Sequence, residues 1–425
     1  MRMYNFIFLL LIVPQLSIAQ LKDSLPPPHA TKSHMNFSHV TGWKNGKKPM
    51  APEGFVVELY YEGLQNPRWM YVLPNGDVLV AEANSHHSFF EKIGAAIVGA
   101  NQSNSMKKSA DRITLLRDED HDGKPEIKTT FLSGLNQPFG MLLINNHFYV
   151  GNTNAVMRYT YEINATGITS QGEKITDLPD GKINRHWTRN LIANKNNTKI
   201  YIAVGSGTDH GEKGLEHEKL RGNILEINSD GSDLRVYASG LRNPVGMGRA
   251  PETGTLWAAV NERDELGDNL VPDYITSIKE NGFYGWPYSY YGQHPDPRVD
   301  QTAPDLVQRA IVPDVSLGAH TASLGLAFYD KTAFPEKYRN GAFVAQHGSW
   351  NRKPIAGYKV VFVPFKNGKP SGDPEDFLTG FIENPGGKKV HGRPVGIVVL
   401  PDGSMLIADD TSNKIWRVMY KTNRN

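Results

Sequence analysis

The chain has 425 residues, of which 39% are hydrophobic and 21% charged, with 41 glycines and no cysteine. This length can bury an extended core, and the glycine content indicates many turns. The net charge is +2, from 46 Lys and Arg against 44 Asp and Glu. With no dense basic run, this excludes the charge pattern of a nucleic-acid binder and favours a small-molecule or carbohydrate ligand. Without cysteine, disulfides, iron–sulfur clusters and covalent c-type haem are excluded, so redox chemistry would need a bound organic cofactor.

Residues 1–19 have the pattern of a signal peptide. Arg2 precedes an apolar run from Phe6 to Val13, and Ser17 to Ala19 form a small-residue cleavage site. The run is too short for a membrane span. We therefore expect an exported protein, periplasmic or secreted, with no membrane span. Residues 20–51 are polar and punctuated by prolines, which predicts a leader segment that lies over the domain or is partly disordered.

From Gly63 onward one motif recurs six times, and each copy is followed, after a turn, by a second apolar run. The copies are GLQNPRWM, GLNQPFGM, NRHWTRNL, GLRNPVGM, AHTASLGL and VHGRPVGI, which begin at Gly63, Gly134, Asn184, Gly240, Ala319 and Val390. A repeated strand pair without long helical patterns between the copies is typical of a β-propeller. We predict one all-β domain, a six-bladed propeller, over residues 52–420.

In a propeller, the first strand of every blade lines the central channel, so equivalent positions of the motif converge. Two residues before the motif's proline, the blades present Gln65, Asn136, His186, Arg242, Thr321 and Gly392. One position later they present Asn66, Gln137, Trp187, Asn243, Ala322 and Arg393. Most of these side chains can hydrogen-bond, which a buried strand would not tolerate without partners. The pattern predicts a polar ligand at the channel mouth.

His186 and Arg242 occupy the same register in neighbouring blades. Imidazole can accept a proton near neutral pH, so His186 is the candidate general base. Arg242 would supply a fixed positive charge where negative charge develops. A lone histidine is more often structural, but the shared register favours a functional role for His186.

Residues 118–126 carry alternating carboxylates and a glycine, as calcium loops do. The acids are Asp118, Asp120, Asp122 and Glu126, but an EF-hand would need an acid at Thr129. A structural calcium site and a plain β-turn both remain open.

A second acidic run, residues 261–265, follows the inner strands of blade four. Its carboxylates and turn carbonyls could bind a hard cation such as Ca²⁺. A solvated acidic loop is the alternative.

Taken in order, GLNQPFGM, HWTRNL, GLRNPVGM, NGFYGWP, FVAQHGSWNR and HGRPVGI resemble the soluble quinoprotein sugar dehydrogenases. The resemblance is in particular to the glucose and sorbosone dehydrogenase group, which includes aldose and pyranose dehydrogenases dependent on pyrroloquinoline quinone (PQQ). The resemblance spans about residues 52–420. It implies a six-bladed propeller that carries PQQ and Ca²⁺ on its top face, oxidises a sugar, and passes electrons to an external acceptor.

The resemblance also assigns roles to individual residues. His186 matches the base that takes the substrate's hydroxyl proton, Arg242 and Asn243 match an Arg-Asn pair that contacts the cofactor, and Arg393 matches an arginine that faces its carboxylates. Gln137 is a further expected cofactor contact.

The metal ligands are expected from the loop that holds Arg263 and Asp264, largely through main-chain oxygens. The chain departs from the family at two places. Val395 replaces a second arginine, and residues 346–349 lack a lysine of blade five, so His347 or Arg352 is expected to contact the cofactor instead.

Two other functions fit a six-bladed propeller. A calcium-dependent lactonase-type hydrolase would need several metal-binding carboxylates or asparagines in the channel. A non-catalytic carbohydrate-binding propeller would bind sugar without the quinone. The sequence does not specify the sugar, the acceptor or the oligomeric state.

Overall fold

The computed structural model describes residues 25–86, 107–300 and 302–421, and these are almost entirely β-structure. Before the first blade lie β1 (His39–Val40) and β2 (Phe55–Glu62). Blade one comprises β3 (Pro67–Val72), β4 (Val78–Glu82), β5 (Arg112–Arg117) and β6 (Ile127–Leu132), and blade two β7 (Met141–Ile144), β8 (His147–Asn152), β9 (Ala155–Thr160) and β10 (Glu173–Asp177). Blade three comprises β11 (Arg189–Ala193), β12 (Lys199–Val204), β13 (Asn223–Asn228) and β14 (Arg235–Ser239).

Blades four and five each contain an inserted strand pair. Blade four comprises β15 (Pro244–Arg249), β16 (Leu256–Val260), β17 (Pro272–Ser277) and, after the pair β18 (Ser289–Tyr290) and β19 (His294–Pro295), β20 (Val315–Ala319). Blade five comprises β21 (Ser323–Phe328), β22 (Ala342–Gln346), β23 (Lys359–Val363) and, after the pair β24 (Phe365–Lys366) and β25 (Lys369–Pro370), β26 (Glu375–Leu378). Helical turns among the described residues are α1 (Pro304–Arg309) and two 3₁₀ turns, Leu215–Glu218 and Glu336–Tyr338.

Blade six closes the ring with strands from both ends of the domain. After β27 (Lys389–Val390), it comprises β28 (Pro394–Val399), β29 (Met405–Asp409) and β30 (Lys414–Tyr420), and β2 is its outermost strand. The pairing of β2 with β30 is antiparallel and joins Phe55 to Tyr420. All six four-stranded sheets are antiparallel, and the predicted six-bladed propeller is confirmed.

Glycines in or just before the first strands let neighbouring blades approach closely around the channel. A Cβ at Gly140 would lie 2.5 Å from the backbone nitrogen of Leu191 in blade three, and one at Gly325 would collide with the carbonyl oxygen of Val395 in blade six. Only glycine fits at such contacts, so the glycine of the motif is a packing requirement of the ring.

Apolar side chains of the first strands pack together below the channel mouth. Val245, Leu324 and Val395 belong to one buried cluster together with Phe139 and Trp187. Val395 therefore packs in the core at the position where the family carries a second arginine. Val245, Leu324 and Val395 come from the first strands of blades four, five and six, which favours a polar ligand at the mouth over one deeper in the channel.

The leader runs across the loops of blades four and five. His34 Nδ1 lies 2.7 Å from Asp268 Oδ2, and the ring of Phe37 stacks on Trp350 with centroids 5.5 Å apart. β1 then pairs in parallel with β27. The predicted signal peptide, residues 1–19, lies outside the described residues. None of the described helices is long and apolar enough to cross a membrane.

Candidate functional site

A cavity of about 380 Å³ lies at the channel mouth, on the face where the first strand of each blade begins. First strands start here and second strands end here, so loops of several blades meet. The charged, imidazole and amide side chains among its lining residues are Asn66, Arg68, Asn84, Arg185, His186, Arg242, Asn243, Asn261, Asp264, His320, His347, Asn351, Arg393 and Asp410. The cavity therefore brings His186 and Arg242 together, as the repeat register predicts.

His186 lines the cavity and is oriented by hydrogen bonds at one of its two ring nitrogens. Its Nδ1 lies 2.9 Å from the carbonyl oxygen of Ser206 and 3.0 Å from the Ser206 hydroxyl. A carbonyl only accepts, so Nδ1 carries the proton and donates, which leaves the lone pair on Nε2. No described residue hydrogen-bonds to Nε2. Burial, and secondly the positive charge of Arg242, lower the pKa of His186 well below its ordinary value of 6.5, so the ring is neutral at pH 7.

Gly205 allows His186 and Asn243 to lie side by side. A Cβ at Gly205 would lie 2.6 Å from the Cβ of His186 and would collide with Oδ1 of Asn243. Asn243 is 5% exposed, and its Oδ1 is buried without a hydrogen-bond partner. A buried, unpaired acceptor is costly, so a ligand that donates a hydrogen bond here would relieve it.

Arg242 is fixed in the cavity wall by acceptors from three segments. Its Nη2 donates to Asp209 Oδ1 at 2.6 Å, its Nε to the Asp209 carbonyl, and its Nη1 to the carbonyls of Asn261 and Glu262. Burial opposes the charge of this 1% exposed side chain, but Asp209 and Asp264 outweigh that effect and raise the pKa of Arg242. Asp209, which follows the end of β12, was missed by the sequence analysis.

Arg393 reaches the cavity without a carboxylate partner among the described residues. Its Nε donates to the His347 carbonyl at 2.9 Å and its Nη2 to the Gly348 carbonyl at 2.8 Å. Its guanidinium also lies 5.5 Å from the ring centroid of Tyr358. The guanidinium of Arg393 is thus oriented by carbonyl oxygens and makes no direct ion pair among the described residues, which suits an anionic ligand.

His347 belongs to a triad that links three blades. Its Nε2 donates to the Asp410 carboxylate at 2.9 Å, and Arg68 Nη1 donates to the same carboxylate at 2.5 Å. Burial, followed by the charge of Arg393, lowers the pKa of His347 to about 4, although Asp410 opposes the shift. Neither Arg68 nor Asp410 was selected from the sequence. Arg68 could have been found, because it stands one residue after the motif's proline, at the register that Val395 occupies in blade six.

The neighbouring side chains of Arg263 and Asp264 lie in different places, one in the interior and one in the cavity wall. The side chain of Arg263 is fully buried away from the cavity and pairs with Glu262 and Asp296. Asp264 lines the cavity, where its Oδ1 accepts from Asn351 Nδ2 at 2.6 Å and its Oδ2 lies 3.5 Å from Arg242 Nη2. Asp264 is therefore the part of this loop that can face a cation in the cavity.

Gln137 and Arg352 do not line the cavity. Gln137 faces an adjacent groove and donates from Nε2 to the Asn84 carbonyl at 2.9 Å. Arg352 donates to the Ala319 carbonyl and to Asn269, and it lines a separate groove beside blade five. Of the two residues expected to replace the missing lysine, the structure brings only His347 into the cavity.

The acidic loop at residues 118–126 lies on the opposite face of the ring. It follows β5, which begins at Arg112 near the cavity face and ends at Arg117 on the other side. Ligand oxygens of Asp118, Asp120, Asp122 and Glu126 all lie within 4.8 Å of one another. This cluster is separate from the candidate active site.

The model of the glucose and sorbosone dehydrogenase family matches residues 64–349, and a TrAA12-like model matches residues 295–421. An uncharacterized protein of Borreliella burgdorferi is 31% identical over 69% of this chain and 78% of its own length. A PQQ-dependent pyranose dehydrogenase of Coprinopsis cinerea is 35% identical over 47% of this chain, but the match spans only 26% of that protein.

The fold also matches a solved structure. The holo form of the PQQ domain of the Coprinopsis cinerea pyranose dehydrogenase superposes with a TM-score of 0.70, over 90% of this chain and 100% of that domain, at 19% identity. The six-bladed architecture and the polar residues at the channel mouth agree with the family model, which matches residues 64–349. The chain belongs to the glucose and sorbosone dehydrogenase family.

Proposed function

We propose that the protein is an exported oxidoreductase that oxidises an aldose sugar, or a related hydroxy-aldehyde, at PQQ with the assistance of Ca²⁺. Named relatives are PQQ-dependent sugar dehydrogenases, which supports the class of reaction. The observation that carries the proposal is the uncommitted Nε2 of a neutral His186 in the same cavity as Arg242 and the unpaired Asn243 Oδ1.

The residues present fit the quinone. PQQ carries three carboxylates, which need cations. Arg393 and Arg185 line the cavity without an ion pair among the described residues, and they would hold these carboxylates together with Arg242. Arginine binds planar carboxylates in a bidentate manner. At the family's other arginine position this chain has the buried, apolar Val395, which cannot form such a contact.

The chemistry divides between cofactor and protein. When bound, the quinone would supply a two-electron hydride acceptor for the anomeric carbon of an aldose, whose oxidation yields a lactone. His186 Nε2 would accept the hydroxyl proton. The Ser206 carbonyl keeps Nδ1 protonated throughout, so Nε2 remains the basic nitrogen. Arg242, held by Asp209, provides a charge that needs no reorganisation as negative charge develops.

Calcium would bind next to Asp264. This carboxylate lines the cavity, and hard cations prefer such oxygen ligands. The carbonyls of Asn261 and Glu262 accept hydrogen bonds from Arg242, so a bound ion would share this loop with that arginine. The signal-peptide pattern of residues 1–19 supports export, and an external acceptor would reoxidise the cofactor.

The two alternatives have less support. Only two carboxylates, Asp264 and Asp410, are among the described lining residues, and Asp410 is committed to Arg68 and His347. Five asparagines also line the cavity and could contribute oxygen ligands to a lactonase-type metal centre, but the matching family model and the named relatives are those of sugar dehydrogenases. A purely carbohydrate-binding role would leave the uncommitted base and the unpaired cations of the cavity without a purpose.

The decisive experiment is a quinone titration of the purified protein, followed by absorbance, with and without a calcium chelator. We expect saturable, calcium-dependent binding, and reduction of a dye when an aldose is added. Lactone hydrolysis without quinone would favour the hydrolase, and sugar binding by a protein that does not bind quinone would favour the carbohydrate-binding propeller.

A further inference from the structure

A groove of about 630 Å³ lies between the outermost strand of blade four and the loops of blade five. It shares no lining residue with the cavity at the channel mouth. Ligand pockets commonly measure about 300–1,000 Å³, so the groove can hold a small molecule of its own. Two of its lining residues, Gln346 and Arg352, have polar atoms that the described part of the chain does not use.

Gln346 offers an acceptor. Its Nε2 donates to the carbonyl oxygen of Leu317 in β20 at 3.0 Å. A carbonyl only accepts, so this bond fixes which end of the amide is the donor and leaves Oε1 as the other end. The residue is 1% exposed, and its Oε1 is buried without a hydrogen-bond partner. Because a buried acceptor without a partner is costly, a ligand that donates a hydrogen bond to Oε1 would be stabilising.

Arg352 offers a positive charge. Its Nη1 donates to the Ala319 carbonyl and its Nη2 to Asn269 Oδ1, both at 3.1 Å, and its Nε is buried without a partner. These partners are neutral, and Arg352 forms no ion pair among the described residues. Guanidinium groups bind carboxylates through charge-assisted hydrogen bonds, so the missing partner is an anion.

The acceptor and the charge are neighbours. Gln346 and Arg352 donate to the carbonyls of Leu317 and Ala319, which are two residues apart in β20. Two residues of an extended chain span at most about 7 Å. A single small ligand can therefore reach both side chains.

The other lining residues define the rest of the ligand. Lys359 is paired with Asp376, so Arg352 is the charged lining residue without an ionic partner. Apolar side chains, among them Ile355 and Val361, line the groove as well. The groove therefore suits a carbon chain that carries one carboxylate and at least one hydrogen-bond donor. A neutral sugar lacks the carboxylate, and a simple fatty acid lacks the donor.

We propose that this groove binds an aldonate, a polyhydroxy carboxylate, with the carboxylate on Arg352 and a hydroxyl group that donates to Gln346 Oε1. The site lies outside the cavity, and binding there needs neither quinone nor turnover. Only the source of the ligand rests on the proposed function, because a sugar lactone that takes up water opens to an aldonate.

The test is calorimetry on the purified protein without quinone, in a calcium-free buffer. The probes are gluconate, sorbitol, which has hydroxyl groups but no carboxylate, and hexanoate, which has a carboxylate but no hydroxyl group. We expect gluconate to bind at least about tenfold more tightly than either comparison compound, which corresponds to about 1.4 kcal/mol.

Variants locate the binding. Arg352→Gln should weaken gluconate about tenfold, and Arg352→Lys, which keeps the charge, should lose less. Gln346→Met, which removes the acceptor at similar volume, should weaken gluconate about threefold or more and leave hexanoate unchanged. Lys353→Gln is the matched control, since this exposed lysine lines neither the cavity nor the groove. Thermal unfolding of each variant shows that it is folded.

The proposal is overturned if gluconate does not bind, or if sorbitol or hexanoate binds as tightly as gluconate. It is also overturned if Arg393→Gln weakens gluconate while Arg352→Gln does not, because gluconate would then occupy the cavity. Dye reduction by the quinone-loaded protein is a separate measurement. Loss of gluconate binding and absence of sugar oxidation are therefore distinguishable failures.

Discussion

The cavity has two walls, each with a partly buried histidine, and the two histidines differ in their hydrogen-bond partners. On the wall from blades three and four, His186 is held only by the carbonyl and hydroxyl of Ser206, beside the unpaired Oδ1 of Asn243. On the wall from blades five, six and one, His347 bonds to the charged Asp410, which Arg68 also binds.

This difference indicates that the wall with His186 serves catalysis and the wall with His347 serves stability. A neutral carbonyl orients His186 without fixing a charge, so the ring can gain and lose a proton during turnover. The Arg68–Asp410–His347 triad instead ties three blades together through one buried carboxylate, and removing any member leaves a charge or a polar group without its partner. We therefore expect loss of activity from changes on the first wall and loss of stability from changes on the second.

The largest expected effect is on activity, from His186→Ala. Removal of the general base should lower kcat/KM by about 10³-fold, while the thermal midpoint changes by no more than a degree or two. Quinone-loaded protein and dye reduction provide the first measurement, and thermal unfolding the second. His39→Ala, an exposed histidine of β1, is the control. Retained activity in the His186 variant would remove this residue from the base role.

The second effect is on stability, from Asp410→Asn. Arg68 and His347 would lose the charge that pairs them, and the free energy of unfolding should fall by about 3 kcal/mol. Asp402→Asn serves for comparison, because its pair with Arg417 leaves the Asp402 side chain 51% exposed, and should cost less than about 1 kcal/mol. Urea denaturation measures both. Equal costs for the two variants would contradict a supporting role for the triad.

A third change, Gly205→Ala, tests the geometry of the first wall. The added Cβ would push against His186 and Asn243, and a displacement of this size near the reacting atoms should lower kcat/KM about 10²-fold. Gly387→Ala is the control, since its nearest neighbour would be the Asn384 carbonyl at 3.2 Å. Wild-type kinetics in the Gly205 variant would show that the packing of these two side chains does not position the base.

The smallest effect is a shift in pH dependence. The pKa of His186 is lowered, so its basic form predominates at and above pH 6.5, and kcat/KM should fall only below that pH as Nε2 becomes protonated. Arg185 contributes to this lowering, so Arg185→Gln should move the acid limb to slightly higher pH, whereas Lys388→Gln should not. An acid limb at or above pH 6.5 in the wild type would contradict the assignment of this limb to His186.

Stability should depend on pH for a related reason. The pKa of His347 is about 4 in the folded protein and near 6.5 when unfolded, so the unfolded state binds more protons between these values. The free energy of unfolding is therefore unaffected by this group above pH 6.5 and falls as the pH drops toward 4.

Much of the fold was predictable because the repeat is local. Six copies of one motif, each with a second apolar run, give the blade number, and the shared register of His186 and Arg242 places both at the mouth. Arg68 stands at an equally recognisable position, one residue after the motif's proline, and its place in the cavity could also have been predicted. Asp209, Ser206 and Asp410 were less accessible, because they follow the ends of second strands, where the repeat no longer constrains the side chain.

The sequence by itself determined the propeller, its family and the ring of polar residues. The reason is that each copy of the motif forms one blade, so equivalent residues of the motif occupy equivalent positions around the channel. Only the tertiary structure decided which of those residues share the cavity. Gln137 and Arg352 turn into neighbouring grooves and Arg263 into the interior, since their hydrogen-bond partners come from other segments. Likewise, contacts between blades determine that His347 is tied to a carboxylate while His186 keeps a free nitrogen.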